Sequence, residues 1–106
     1  MDVVIFGKLN CGKCAGAKER VTVLIEKMGL AGKVPMQFVN LDTFDGRAEG
    51  AFYDVYDAVP VTIVRNDAQE VLSRWEGVMP RTEELRPVLE LVARNPEGNA
   101  NRAAAD

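Results

Sequence analysis

The sequence predicts an α/β domain with a mixed sheet of about four strands and helices on both faces. Two observations support this fold class. Short β-rich apolar runs alternate along the chain with stretches in which apolar residues recur at helical spacing. The resulting order is β-α-β-α-β-β-α, in which the first half implies parallel strands joined by a right-handed crossover and the second half adds a hairpin and a covering helix.

The first strand and the first helix have clear patterns. Val3–Phe6 is a continuous apolar run, which is typical of a strand that is covered on both faces. From Cys14 to Met28, apolar residues recur every three or four positions while charged residues fill the opposite arc, and this predicts an amphipathic helix. Gly29 follows at the position where a residue in the left-handed conformation would end the helix.

The middle of the chain is predicted to form a buried strand over 36–41 and a helix over 45–56. Asp45 is the expected N-cap of this helix, because its carboxylate can accept hydrogen bonds from free N–H groups of the first turn. We expect the helix to pack on the sheet through one apolar stripe. The stripe consists of Ala48, Phe52, Val55 and Tyr56.

The last third of the chain is predicted to form a hairpin followed by a helix. The β-branched run 61–65 and the run 71–75 are separated by turn residues, so we expect them to pair. Thr82 is the expected N-cap of the last helix, and Pro87, about five residues later, should cost a hydrogen bond or kink the first turn. The predicted apolar stripe of this helix consists of Leu85, Val88, Leu89 and Val92.

Length, charge and composition exclude several classes of protein. The 106 residues indicate one small domain, which we place at 1–94, followed by a disordered tail at 95–106. The net charge of −3 and the absence of a basic stripe argue against binding to nucleic acid. No apolar run approaches the roughly 18 residues of a membrane span, and no secretory signal is evident, so we expect a cytoplasmic protein.

The motif that carries chemistry is Cys11-Gly12-Lys13-Cys14, between the end of a predicted strand and the start of a helix. At this spacing a disulfide can form and break with little movement of the backbone. Cys11 would lie among the free N–H groups at the positive end of the helix, where a thiolate is favoured, and Lys8 and Lys13 add positive charge. Cys14 begins the buried stripe of the helix. This asymmetry is what a nucleophilic thiol and a resolving thiol require.

Other interpretations of the cysteine pair remain open at this stage. Two cysteines and no histidine are too few for a mononuclear structural zinc site, which almost always takes four ligands. Two chains could still pool four thiolates around zinc or an iron–sulfur cluster. The pair could also be a static disulfide in an interaction domain that has no redox activity. The position of the motif between a strand and a helix favours the redox interpretation.

From Val3 to about Arg94 the chain resembles the thioredoxin/glutaredoxin superfamily. The strand that leads directly into GKLNCGKC is similar to a glutaredoxin, and Lys8 stands three residues before the first cysteine, where glutaredoxins carry a basic residue. Val59-Pro60, before VTIV, resembles the cis-proline loop of the family, which faces the cysteine pair and binds the substrate backbone. The segment EGVMPRTEEL, which contains Gly77, resembles the turn and helix that close thioredoxins.

The chain departs from the family pattern at several places, including Asn10 and Gly12-Lys13, where thioredoxins carry a tryptophan before the first cysteine and a proline between the cysteines. The Gly-Gly loop by which glutaredoxins hold glutathione is replaced by Trp75-Glu76-Gly77. Thioredoxins carry a buried aspartate six residues before the first cysteine, where it assists proton transfer, and Ile5 stands at that position here. The resemblance therefore implies that Cys14 loses its proton by another route.

The resemblance implies a dithiol–disulfide oxidoreductase in which Cys11 attacks a target disulfide and Cys14 resolves the mixed disulfide. It implies no bound cofactor and no metal. The implied partners are disulfide-containing protein substrates and a reductase or small thiol that donates electrons, and we expect a monomer with no nucleic-acid or membrane partner. The residues expected on the substrate side of the site are Lys8, Lys13, Val59, Pro60 and Gly77.

Overall fold

The structure of the protein, a computed structural model, describes residues 1–94 of the chain. Its seven elements follow the predicted order. They are β1 (Asp2–Gly7), α1 (Gly12–Lys27), β2 (Met36–Asn40), α2 (Phe44–Phe52), β3 (Val61–Arg65), β4 (Val71–Glu76) and α3 (Thr82–Arg94). The tail predicted at 95–106 lies outside the described residues.

The four strands form one mixed sheet in the order β2-β1-β3-β4. β1 pairs with β2 in parallel and with β3 antiparallel, and β3 and β4 form the predicted antiparallel hairpin. The central strands β1 and β3 are buried along almost their whole length, whereas within β2 only Val39 is fully buried. The prediction of a buried strand over 36–41 is therefore wrong for most of β2, because this strand lies at an edge of the sheet.

The side chains of β1 alternate between the two faces of the sheet. Val3 and Ile5 belong to a core that also contains α1 and α3, while Val4 and Phe6 belong to a second core on the opposite face. α2 lies on that second face, so helices cover both faces, as predicted. None of the helices within residues 1–94 is long and apolar enough to span a membrane.

α2 begins and packs differently from the prediction. It starts after Thr43, whose Oγ1 accepts a hydrogen bond from the Gly46 N–H at 2.9 Å, so Thr43 is the N-cap and Asp45 lies in the first turn. The helix ends at Phe52, and the phenylalanine side chain is 79% exposed. Three members of the predicted apolar stripe, Ala48, Phe52 and Tyr56, are exposed, and only Val55, which follows the helix, is buried.

Two glycines explain why the predicted face of α2 is wrong. Gly46 and Gly50 are the buried residues of the helix. A Cβ at Gly46 would overlap the carbonyl oxygen of Asn40, and a Cβ at Gly50 would come within 2.7 Å of Leu41 Cδ2. The helix therefore approaches the end of β2 more closely than a side chain would permit.

Of the predicted stripe of α3, Leu85, Leu89 and Val92 are fully buried and Val88 is partly buried. Thr82 is the first helical residue, and the carbonyl of the preceding Arg81 accepts a hydrogen bond from the Leu85 N–H at 2.9 Å. Thr82 is therefore not the N-cap that we predicted. Pro87 lies on the exposed side of the helix, which continues through it to Arg94.

A buried arginine connects the segment after α2 to the sheet through hydrogen bonds. The guanidinium of Arg65, at the end of β3, donates hydrogen bonds at 2.8 Å to both Asp2 Oδ1 and the Tyr53 hydroxyl. The bond to Asp2 is the main reason why the pKa of Arg65 is raised above its ordinary value. This arrangement compensates the charge of a side chain that is largely removed from solvent.

Candidate active site

Cys11 lies at the junction between the sheet and α1. β1 ends at Gly7, and after a short turn Cys11 forms the N-cap of α1 with an extended backbone (φ −119°, ψ 114°). Its sulfur accepts a hydrogen bond from the Cys14 N–H at 3.1 Å, and its carbonyl accepts one from the Ala15 N–H at 3.1 Å. Cys11, which the sequence places at the start of the helix, is therefore also the N-cap of that helix.

Cys11 and Cys14 are joined by a disulfide, and their Cα atoms are 5.1 Å apart. The environments of the two sulfurs differ, because Cys11 is half-buried while Cys14 is only 1% exposed. Cys14 begins the buried stripe of α1 that continues with Ala17 and Val21, as the sequence pattern predicted. A reagent from solvent can therefore reach Cys11 more easily than Cys14.

Positive groups surround the cysteine pair. The first turn of α1 contains no acidic residue. Lys8 and Lys18 line a small cavity of about 30 Å³ together with Cys11 and Cys14, and the Lys18 ammonium lies 4.4 Å from the centre of the Phe38 ring. Lys13, within the motif, is exposed and does not line this cavity. The helix terminus and these ammonium groups together favour a thiolate.

Gly7 lies directly against Cys14, and the sequence analysis did not identify it. A Cβ at Gly7 would come within 2.7 Å of Cys14 Sγ, 3.0 Å of Cys14 Cβ and 3.1 Å of Phe38 Cε1. The sulfur of Cys14 therefore packs directly on the backbone of β1. The available signal was a glycine at the end of a buried strand, which often marks the close approach of another group.

The predicted substrate loop lies at the same end of the sheet. The Val59–Pro60 bond is cis, as the resemblance implied, and Pro60 is buried. Val61, the next residue, pairs with Phe6 near the end of β1, so the loop lies close to the strand end that leads to Cys11. Gly77, with φ +73°, donates its N–H to the Pro60 carbonyl at 2.8 Å. The structure thus brings Pro60 and Gly77 together.

Residues 1–94 contain no group of three or more histidine, cysteine, aspartate or glutamate side chains arranged to hold a metal ion. The aspartates around α2, Asp42, Asp45, Asp54 and Asp57, are all exposed. Within residues 1–94, Cys11 and Cys14 are the only cysteines, and they form one disulfide.

No protein-family model matches the sequence, and no curated protein matches it. Solved structures do resemble it. Thioredoxin 1 from Thermosipho africanus is 14% identical, with a TM-score of 0.61 over 92% of this chain and 96% of that chain. Thioredoxin O2 from Arabidopsis thaliana in its oxidized state is 20% identical, with a TM-score of 0.65 over 86% and 73%.

A thioredoxin from Fasciola hepatica is 22% identical, with a TM-score of 0.62 over 84% of this chain and 77% of that chain. At these identities the similarity concerns the fold. The mixed four-stranded sheet, the three helices and the cysteine pair at the start of α1 agree with it. The chain therefore has a thioredoxin-like fold, the fold that its resemblance to the thioredoxin/glutaredoxin superfamily predicted.

Proposed function

We propose that the protein is a dithiol–disulfide oxidoreductase that reduces or exchanges disulfides of protein substrates. One observation carries the proposal. Cys11 and Cys14 form a disulfide at the N-terminus of α1, with one sulfur accessible and the other buried over Gly7. A pair arranged in this way can open and close while the rest of the fold stays in place.

The reaction proceeds by two thiol–disulfide exchanges. The Cys11 thiolate attacks one sulfur of the target disulfide, a Cys11–target bond forms, and the other target sulfur leaves as a thiolate. The Cys14 thiolate then attacks Cys11 Sγ, the Cys11–target bond breaks, and the second target thiolate leaves. Two electrons pass to the target, and the Cys11–Cys14 disulfide remains. A reductase or small thiol then returns the pair to the dithiol.

The surrounding residues have supporting roles in this proposal. Lys8 and Lys13 stabilise the Cys11 thiolate, and the loop around Val59 and Pro60 supports the substrate backbone. The N–H of Gly77 is already bonded to the Pro60 carbonyl, so we assign Gly77 to shaping this loop rather than to binding substrate. A cytoplasmic location fits a chain that contains only two cysteines and therefore no disulfide framework.

The test is the turnover of a disulfide-bonded protein substrate in the presence of a small thiol. We expect the reduced protein to accelerate the reaction, and its reduction potential to fall within the range of thioredoxin-fold proteins, from about −270 mV for a reductant to about −120 mV for an oxidant. Absence of turnover by protein that has two titratable thiols would contradict the proposal.

The pooled-thiolate hypothesis has a separate test. A disulfide sulfur is not a thiolate ligand, so the state described here does not bind metal through Cys11 and Cys14. Metal analysis and visible absorption of protein purified under reducing conditions distinguish the two functions. A stoichiometric metal content of one ion or cluster per two chains would favour the metal-binding module.

Replacing Lys13 with glutamine is expected to slow alkylation of Cys11 only modestly, because an exposed charge at a helix terminus contributes little in salt. The pH dependence of Cys11 alkylation measures this effect. Lys27→Gln is the matched control, since it removes the same charge at the other end of α1. If both variants behave like the parent protein, Lys13 has no part in activating Cys11.

A further inference from the structure

The hydroxyl of Thr62 is a buried side-chain group with no hydrogen-bond partner among residues 1–94. Thr62 is fully buried in the central strand β3. A buried hydroxyl without a partner is unfavourable, and valine would fill the same space without that cost. The presence of threonine here therefore suggests that its hydroxyl has a hydrogen-bond partner in another state of the protein.

Thr62 lies on the face of the sheet that α1 and α3 cover. It pairs with Ile5 across β1 and β3, and two residues along the strands Val3 pairs with Val64. Ile5, Val3 and Val64 all belong to the core that contains α1. Because opposed residues of antiparallel strands point to the same face, the Thr62 side chain points into this core, which α1 and α3 both cover.

The next position of β1 on this face is Gly7, over which the Cys14 sulfur lies. Thr62 and position 7 are diagonal neighbours in the antiparallel pair, for which Cβ atoms are about 7 Å apart or less. The sulfur of Cys14 occupies the space beside the missing side chain of Gly7. The Thr62 hydroxyl and Cys14 Sγ therefore lie at neighbouring positions on the same face of the sheet, with no hydrogen bond between them in the disulfide state.

We propose that Thr62 donates a hydrogen bond, directly or through one water, to the Cys14 thiolate when the disulfide is open. The inference rests on the proposed function and adds a positioning residue to its resolving step. In that step Cys14 S⁻ attacks Cys11 Sγ, the Cys11–Cys14 bond forms, and the target leaves as a thiolate while Thr62 keeps its proton. Ile5, which lies opposite Thr62, is apolar and offers Cys14 no such donor.

The redox state determines whether the hydroxyl is paired. A disulfide sulfur is a weak acceptor, whereas hydrogen bonds to an ionised acceptor are about twice as strong as neutral ones. Thr62 is therefore unpaired in the disulfide state and paired in the reduced state. Its hydroxyl shifts the equilibrium toward the dithiol and increases the fraction of Cys14 that is ionised.

Charged groups also face Cys14. Lys8, after β1, and Lys18, on α1, line the cavity beside the cysteine pair, while β2 contributes only Phe38 to it. Both ammonium groups favour the thiolate. Cys11, the remaining titratable neighbour, is removed in the experiment by replacement with serine. Comparison of Thr62 variants in this background therefore isolates the hydroxyl, since both lysines are unchanged.

The test measures Cys14 alkylation against pH in Cys11→Ser protein, where Cys14 is the only thiol. Thr62→Val should move the profile to higher pH and slow alkylation at pH 7 by about threefold to tenfold, while Thr62→Ser should keep the parent profile. An unchanged profile in the valine variant would overturn the inference. The measurement needs no catalytic turnover, so its failure is distinct from failure of the proposed function, which would appear as an inactive parent protein.

A second measurement uses the protein with both cysteines. Thr62→Val should shift the equilibrium with glutathione about tenfold toward the disulfide, which is a reduction potential about 30 mV lower. It should stabilise the oxidised protein more than the reduced protein. Equal stabilisation of both states would mean that Thr62 acts through packing alone and would overturn the inference. If the valine variant does not fold, Thr62→Ala is measured with the same expected direction.

Discussion

Cys14→Ser protein is expected to remain covalently attached to its disulfide substrates. Cys11 is accessible at the helix terminus and attacks a target disulfide, but without the Cys14 thiol nothing releases the target from the mixed disulfide. Turnover should be lost. Non-reducing electrophoresis after incubation with a disulfide-bonded protein should show a slower band that dithiothreitol removes.

Cys11→Ser is the matched control for this experiment. It should also lose turnover, but it should form no trapped complex, because Cys14 is 1% exposed and an incoming disulfide does not reach it. In the reduced parent protein, a limiting alkylating reagent at pH 7 should modify Cys11 before Cys14. Trapping by the Cys11→Ser variant, or modification of Cys14 first, would require the two roles to be exchanged.

Gly7→Ala is expected to lower the free energy of unfolding and to slow the resolving step. The added Cβ would lie 2.7 Å from Cys14 Sγ and 3.1 Å from Phe38 Cε1, so the start of α1 or the ring must move. Overpacking of this kind typically costs about 1–3 kcal/mol. Urea denaturation measures the loss of stability, and the lifetime of mixed disulfides measures the resolving step.

Gly12→Ala provides the comparison for Gly7→Ala. Gly12 lies between the two cysteines, but a Cβ there would meet no atom within 4 Å apart from its chain neighbours and the backbone of its own helix. This variant should be as stable as the parent, or slightly more stable, because alanine favours the helix. If Gly7→Ala matches Gly12→Ala in both stability and resolution, Cys14 does not depend on the close contact with β1.

The sequence predicted best the elements whose buried residues are large apolar side chains. β1 is one apolar run, and the structure buries every residue from Val3 to Gly7. α1 and α3 carry stripes that recur every three or four residues, and the same residues form the core against the sheet. The spacing of apolar residues predicts these elements, because the apolar side chains that recur at that spacing are the ones that pack in the core.

α2 shows where this reasoning fails. Its buried face consists of Gly46 and Gly50, which have no side chains and therefore leave no apolar period, while Phe44 and Phe52 are exposed. Hydrophobic spacing consequently pointed to the wrong face. The edge position of β2 was also beyond the local pattern, because the order of strands depends on how distant segments pair.

The same division applies to the candidate site. The cysteine pair, its place at the start of a helix and the burial of Cys14 could be predicted from the sequence, because three-residue spacing and helical period are local properties. Three relations depend on tertiary structure: Gly7 lies against Cys14, Gly77 donates to the Pro60 carbonyl, and Thr62 lies on the face that α1 and α3 cover. The packing of α1 on β1 sets the first relation, and the register of β1, β3 and β4 sets the other two, and neither can be predicted from a local pattern.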